Sequence, residues 1–197
     1  MARIFLLRHG ETESNRDNIV SGILDSKLTY LGKTQAKKLA KLLEKENVNI
    51  IYSSPLKRAL ETAQEIAKKH KLKVIINNQL REINLGEFEG KSWDYVYKKI
   101  PNWREIRYKY RPKGGETQKE LDIRASSFLE DIKRKYKTET IVILAHGSVN
   151  KAILGNLLNI DIKSRFSIIQ SNACVNLIEM NDKGVRVYKI NSTNHLI

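Results

Sequence analysis

Four short stretches carry residues suited to handling a phosphate group. Arg8, His9 and Gly10 follow an apolar run at residues 4–7. Arg58 lies just behind Ser53-Ser54-Pro55, Glu82 sits in Leu80-Arg81-Glu82-Ile83, and His146-Gly147 follows the apolar run 141–145. A guanidinium clamps phosphate oxygens with a planar fork, and a neutral imidazole can attack phosphorus. Glycine removes the side chain that would keep a phosphate from backbone N–H groups. Phosphoryl transfer depends mainly on positioning and on stabilising charge at the equatorial oxygens, a task for permanent cations at 8 and 58. In this scheme His9 attacks and His146 hydrogen-bonds the transferring group. The Gly147 N–H adds the oriented donor of a helix start. Glu82 protonates the departing alkoxide and then takes a proton from the attacking water.

Each residue alone has a plainer reading. Arg8 with His9 could be incidental surface, Arg58 a surface cation on a helix, and Glu82 a solvated charge. His146 could be a satisfied core histidine, or a metal ligand together with His9. The sequence has no His-x-x-His or Cys-x-x-Cys spacing, and two arginines would repel a cation, so we expect no metal. His70 and His195 read as incidental. The case for a site rests on where the elements place these residues.

Strand-like and helix-like segments alternate, which predicts an α/β fold: a three-layer sandwich with a mostly parallel central sheet flanked by helices. Strands are expected at 4–7, Ile50–Ser53, Val74–Ile76 and 141–145. Helices are expected at 33–46, at 56–67, from Thr117 with Glu120 as a capping box, and at 149–158. A terminal hairpin is expected at 175–180 and 185–190 around the turn 181–184. Arg8-His9, Arg58, Glu82 and His146 then all follow strand ends. In open α/β sheets, ligands bind outside the carboxyl ends of the strands.

At 197 residues the chain suits one domain, 1–197, with a substantial core. No apolar run approaches a membrane span. The start of the chain enters a strand without a signal-peptide layout, and Cys174 is the single cysteine, so a cytoplasmic protein with a buried, inert thiol is expected. The net charge of +14 favours anionic partners, either nucleic acid or small phosphorylated substrates. Much of the lysine, as at Lys33, Lys37, Lys38, Lys41 and Lys45, solvates helical faces.

The stretch Leu6-Leu7-Arg8-His9-Gly10-Glu11-Thr12-Glu13-Ser14-Asn15 resembles the signature of the histidine phosphatase superfamily, also called phosphoglycerate mutase-like. The blocks Ser21-Gly22 with Asp25, Leu28-Thr29 and Gly32, Ser53 to Ala59 with Thr62-Ala63, Leu80 to Gly90, Gly114 to Thr117, and Ala145-His146-Gly147 follow in family order. The resemblance implies that His9 is phosphorylated, that Glu82 is the proton donor, and that Arg8, Arg58 and His146 complete the phosphate pocket. Asn15, Ser21, Gly22 and the Gly147 amide are implied as accessory contacts. It also implies that no metal or other cofactor is needed, and it suggests a homodimer. Glu82 is followed by Ile83-Asn84-Leu85-Gly86-Glu87 rather than by the Arg and Tyr of the cofactor-dependent mutases. The expected activity is therefore a metal-independent phosphomonoesterase acting through phosphohistidine. A phosphoglycerate mutase-type transfer is the alternative, and a non-catalytic phosphoanion- or nucleic-acid-binding protein is a remoter one.

Residues 93–113 interleave six aromatics (Trp93, Tyr95, Tyr97, Trp103, Tyr108, Tyr110) with Lys98, Lys99, Arg104, Arg107, Lys109, Arg111 and Lys113. Such a pattern can bind single-stranded nucleic acid. The resemblance instead implies a small helical cap, at about 90–115, that selects substrates. We expect it to favour substrates with an extra negative group, through Arg104 and Arg107, and nucleic acid is disfavoured.

Overall fold

The computed structural model describes residues 1–181 and 183–197; Asp182, in the expected turn 181–184, lies outside the described residues. Strand β1 (Ala2–Arg8) leads through the short helix α1 (Glu13–Arg16) to α2 (Tyr30–Leu43), β2 (Ile50–Ser53), α3 (Lys57–His70) and β3 (Val74–Ile76). Two short helices, α4 (Trp93–Lys99) and α5 (Trp103–Ile106), come next. They are followed by α6 (Gln118–Lys135), β4 (Thr140–Ala145), α7 (Gly147–Leu158) and the antiparallel pair β5 (Val175–Asn181) and β6 (Gly184–Ser192). Among the described residues the sheet has the order β3-β2-β4-β1-β5-β6, with the first four strands parallel.

Period-2 alternation divides the core into two layers. Ala2, Ile4 and Leu6 of β1 and Ile141, Ile143 and Ala145 of β4 face α6 and α7. Phe5, Leu7, Val142 and Leu144 face the opposite way, onto α2 and α3. The stripe Leu121, Ala125, Phe128, Leu129 and Ile132 is the apolar face of α6, and the Thr117–Glu120 capping box starts that helix as expected. Helix α2 begins three residues earlier than the periodicity suggested, because the Thr29 hydroxyl accepts the Gly32 N–H at 3.0 Å and caps it there.

The parallel register aligns the ends that matter. Arg8 pairs with Ala145, and Ser53 with Leu144. Residues 8–9, 54 and 146 therefore leave the sheet at one edge. The loop after β1 also approaches the start of α2 closely: a Cβ on Gly10 would lie 2.3 Å from the Gly32 carbonyl oxygen, which only glycine avoids. Above that edge, Val20, Phe88, Val96 and Trp103 form a small separate apolar cluster, against which Trp93, Tyr97, Ile100 and Tyr110 pack.

Candidate active site

The predicted residues converge on a cavity of ≈ 240 Å³ at the carboxyl edge of the sheet. Arg8, His9, Asn15, Ser21, Gly22, Arg58 and Glu82 line it. His146 stands behind this wall, with its ring centroid 5.1 Å from that of His9. Gly147 is also set back, and a Cβ there would lie 3.7 Å from Glu82 Oε2 and 3.8 Å from Arg8 Nε.

Backbone bonds position His9. Its N–H donates to the Ala145 carbonyl at 3.2 Å and its own carbonyl accepts Ala173 N–H at 3.0 Å, tying the loop to the ends of β4 and β5. The ring is 3% exposed, and Nδ1 lies 2.7 Å from the Gly10 carbonyl oxygen. That oxygen can only accept, so Nδ1 carries the proton and Nε2 keeps a free lone pair. Burial, with Arg58 and Arg8 alongside, holds the imidazole well below its usual value of 6.5.

His146 is fully buried, and the same causes, burial first and then Arg58, keep it neutral. Its Nε2 lies 2.7 Å from Ser54 Oγ. That hydroxyl also accepts Leu56 N–H at 3.3 Å. Nδ1 is buried without a partner. The plain reading of a satisfied core histidine therefore fails. Among the described residues no group of three or more His, Cys, Asp or Glu converges as metal ligands.

Arg58 is not a surface cation: it is 2% exposed, and it donates to the Gly22 and Leu24 carbonyls at 2.7 Å each. Arg8 donates to the Gln170 carbonyl at 2.5 Å, while its Nε is buried without a partner. Burial lowers both guanidinium values, against the raising influence of Glu82, and both remain cations. The Glu82 carboxylate is held rather than free in solvent. Ser148 N–H at the start of α7 donates to it at 3.1 and 3.2 Å, and Ile83 N–H donates at 2.9 Å.

Several supporting residues were missed when the sequence was read. Glu89 accepts N–H bonds from Ile23, Leu24 and Leu85 at 2.9, 3.1 and 2.9 Å, joining the loop that orients Arg58 to the one after Glu82. Gly22, at φ +49°, leaves room for it, since a Cβ there would lie 2.0 Å from Glu89 Oε1. Arg124 donates to the Glu82 carbonyl at 3.1 Å and pairs with Glu116 at 2.7 Å. Thr62 accepts Gly10 N–H, and Asn172 donates to Asn15 Oδ1 at 2.9 Å. Glu89 and Thr62 stood inside family-like blocks and could have been singled out. Asn172, far along the chain, gave no signal.

The cap expectation is corrected in one respect. Of the seven basic residues at 93–113, Arg107 lines the cavity and Arg104 does not; Arg104 lies over the Tyr97 ring at 5.3 Å, facing outward. Aromatic faces that could stack bases are partly used internally. Phe88, Trp103 and Tyr110 pack ring on ring at centroid distances of 5.4–6.2 Å. Cys174 is buried, and burial pushes its thiol up to about 11, which fits the inert role.

Two buried imidazoles, the buried Arg58 and the partly buried Arg8 at one cavity, on a mostly parallel sheet, define a phosphate-handling enzyme of the α/β class. The chain belongs to the histidine phosphatase superfamily (branch 1), whose description matches residues 4–193. It is 35% identical over 200 residues to phosphoserine phosphatase 1 of Hydrogenobacter thermophilus, covering 100% of this chain and 95% of that one. It is 30% identical to the metal-independent phosphoserine phosphatase of Arabidopsis thaliana, covering 100% of this chain and 84% of the relative. A solved phosphoserine phosphatase of Entamoeba histolytica, in complex with 3-phosphoglyceric acid, superposes with a TM-score of 0.89 at 29% identity, each chain covered completely. Family and relatives support a phosphoric monoester hydrolase over a mutase.

Proposed function

We propose that the protein is a metal-independent phosphomonoesterase that hydrolyses small phosphorylated metabolites through a phosphohistidine at His9. The observation that carries this reading is His9 itself: buried, neutral, its Nδ1 engaged by the Gly10 carbonyl, and set between two arginines.

In the first half-reaction His9 Nε2 forms a bond to phosphorus as the ester P–O bond breaks. Glu82 delivers a proton to the departing oxygen. Arg8 and Arg58 neutralise charge on the equatorial oxygens, and His146, whose Nδ1 has no partner in the protein, donates from that nitrogen to one of them. In the second half-reaction Glu82 takes a proton from water, whose oxygen attacks phosphorus as the N–P bond breaks. Inorganic phosphate leaves, and both residues return to their starting states. Asn15, Ser21, Gly22 and the Gly147 amide are assigned accessory phosphate contacts.

Nothing in this scheme calls for a cation, and the two guanidinium groups of Arg8 and Arg58 would repel one. Buried Cys174 suits the reducing cytoplasm. Hydrolysis of p-nitrophenyl phosphate in the presence of EDTA tests the reading. The rate should be unaffected by EDTA and fall by about 10⁴-fold or more in His9→Ala. Activity that survives the substitution, or that EDTA abolishes, would overturn it.

A further inference from the structure

The outer part of the cavity carries cations that the phosphate chemistry does not use. Three line it: Arg165, Arg107 and Lys151. Arg165 is accounted for within the fold, since it pairs with Asp122 and donates to the Ile160 carbonyl at 2.7 Å and to Asn156 Oδ1 at 3.0 Å. Arg107 and Lys151 have no ion pair among the described residues. They come from separate elements, one just after α5 and the other on α7, yet they meet at a single ring. Arg107 Cζ stands 4.0 Å from the Phe166 centroid and Lys151 Nζ 5.9 Å from it. Arg107 Nε is buried without a partner.

Two half-buried like charges drawn together over an aromatic ring oppose folding unless something of opposite sign joins them. Burial and then Arg107 hold Lys151 below the usual lysine value, against the raising influence of Glu82. Helix geometry sets the position of Lys151. It lies one turn beyond Gly147 on the same face, beside Ser148, whose N–H holds Glu82. The pair therefore borders the phosphate pocket, with Trp93, Trp103 and Ile162 as the apolar wall nearby.

We propose that Arg107 and Lys151 form a second anion subsite that selects phosphomonoesters whose organic part carries a carboxylate. The inference rests on the reading of the His9 end as the phosphate pocket. A carboxylate matches the subsite because the guanidinium, packed on Phe166, presents a planar N–H edge with Nε unsatisfied, and a planar acceptor meets that edge best. Lys151 supplies the second, point-like charge.

The test is a ratio of kcat/KM for two esters that differ only in this group: 3-phosphoglycerate and glycerol 3-phosphate, where a hydroxymethyl replaces the carboxylate. The ratio is read on one preparation, so it does not depend on the fraction folded. Wild type should prefer 3-phosphoglycerate, and Arg107→Gln combined with Lys151→Gln should reduce the ratio by about 10- to 100-fold. Arg107→Lys, which keeps the charge, should retain most of it. Absence of the preference in wild type, or its persistence in the double variant, would overturn the proposal. So would a preference for 1,3-propanediol bisphosphate over 3-phosphoglycerate that the double variant abolishes, because the subsite would then take phosphate. If wild type hydrolyses neither ester nor p-nitrophenyl phosphate, the phosphatase reading fails and takes this proposal with it.

Discussion

The inner end of the cavity and its cap-side wall are built by different means. At the inner end, Arg8, His9 and His146 stand at the ends of strands whose register is set by ladder bonds, Arg58 sits in the first turn of α3, and a carbonyl, a hydroxyl or a helix start fixes each group's orientation. Arg58 ends on two carbonyls, His9 on one, and Glu82 on the N–H groups of Ser148 and Ile83. At the cap-side wall short helices and loops held by ring packing meet the first turns of α7, and Arg107 and Lys151 rest on Phe166 rather than on an acidic partner among the described residues. The first construction tolerates little displacement and suits a reaction that needs exact in-line geometry. The second can change residue by residue without disturbing the sheet, which is what substrate choice requires. A phosphatase with rigid chemistry and a replaceable wall is the result.

After the loss of His9 itself, the largest expected effect breaks the inner end. Arg58→Gln removes a permanent charge from the transferring group, and kcat/KM for p-nitrophenyl phosphate should fall by about 10²–10³-fold. Steady-state kinetics check it. A loss below tenfold would mean that the inner end does not depend on fixed charge as described.

Glu89→Ala tests whether the two regions are mechanically joined, because Glu89 links the Arg58-orienting loop to the turn that leads into the cap. Ile23 and Leu85 N–H would lose their acceptor and Leu24 N–H one of two, at a cost of about 2 kcal/mol. For a chain of this size that lowers Tm by about 4–8 °C. Activity should fall with it, since the carbonyls that hold Arg58 are loosened. A shifted Tm with unchanged kcat/KM would show that the loop orients nothing.

The histidines sharpen the contrast through pH. Both His9 and His146 have folded-state values well below 6.5. Above about pH 6.5 both imidazoles are neutral whether the chain is folded or unfolded. Below it the unfolded chain binds protons that the folded chain refuses, so stability falls as pH drops, by up to about 1.4 kcal/mol per pH unit for each histidine. Thermal unfolding followed from pH 7.5 to 5.5 should show this slope, and His146→Gln should flatten it. An unchanged slope in that variant would mean that His146 accepts a proton in the fold.

Much of the inner end was legible in the sequence, because strand-end placement depends on apolar runs a few residues long and the runs before His9, Arg58 and His146 were clear. The cap wall was legible only in composition. Arg104 and Arg107 are equivalent in the sequence, but Arg104 lies within α5 and Arg107 just past its end, and only the second lines the cavity. Lys151 belongs to no motif, and only its spacing from Gly147 marks it as lying on the site-facing side of α7. Asn172 and the Ser54–His146 bond depend on chain segments brought together over long separations, 92 residues in the second case, which no local pattern encodes.

Arg104 supplies the smallest and most discriminating test of the wall. It lies on the same cap segment as Arg107, carries the same charge and also rests on a ring, at 5.3 Å from the Tyr97 centroid. It faces solvent, where such a contact contributes about 0.5 kcal/mol, and it does not line the cavity. Arg104→Ala should therefore shift Tm by no more than about 2 °C and leave the preference between carboxylate-bearing and neutral phosphoesters within about twofold of wild type. A general attraction of anions by the basic cap, proportional to its net charge, would instead make Arg104 and Arg107 equally important, and added salt would erase both effects together. Different responses at these two positions, in one protein and with one pair of substrates, separate a built subsite from a diffuse field.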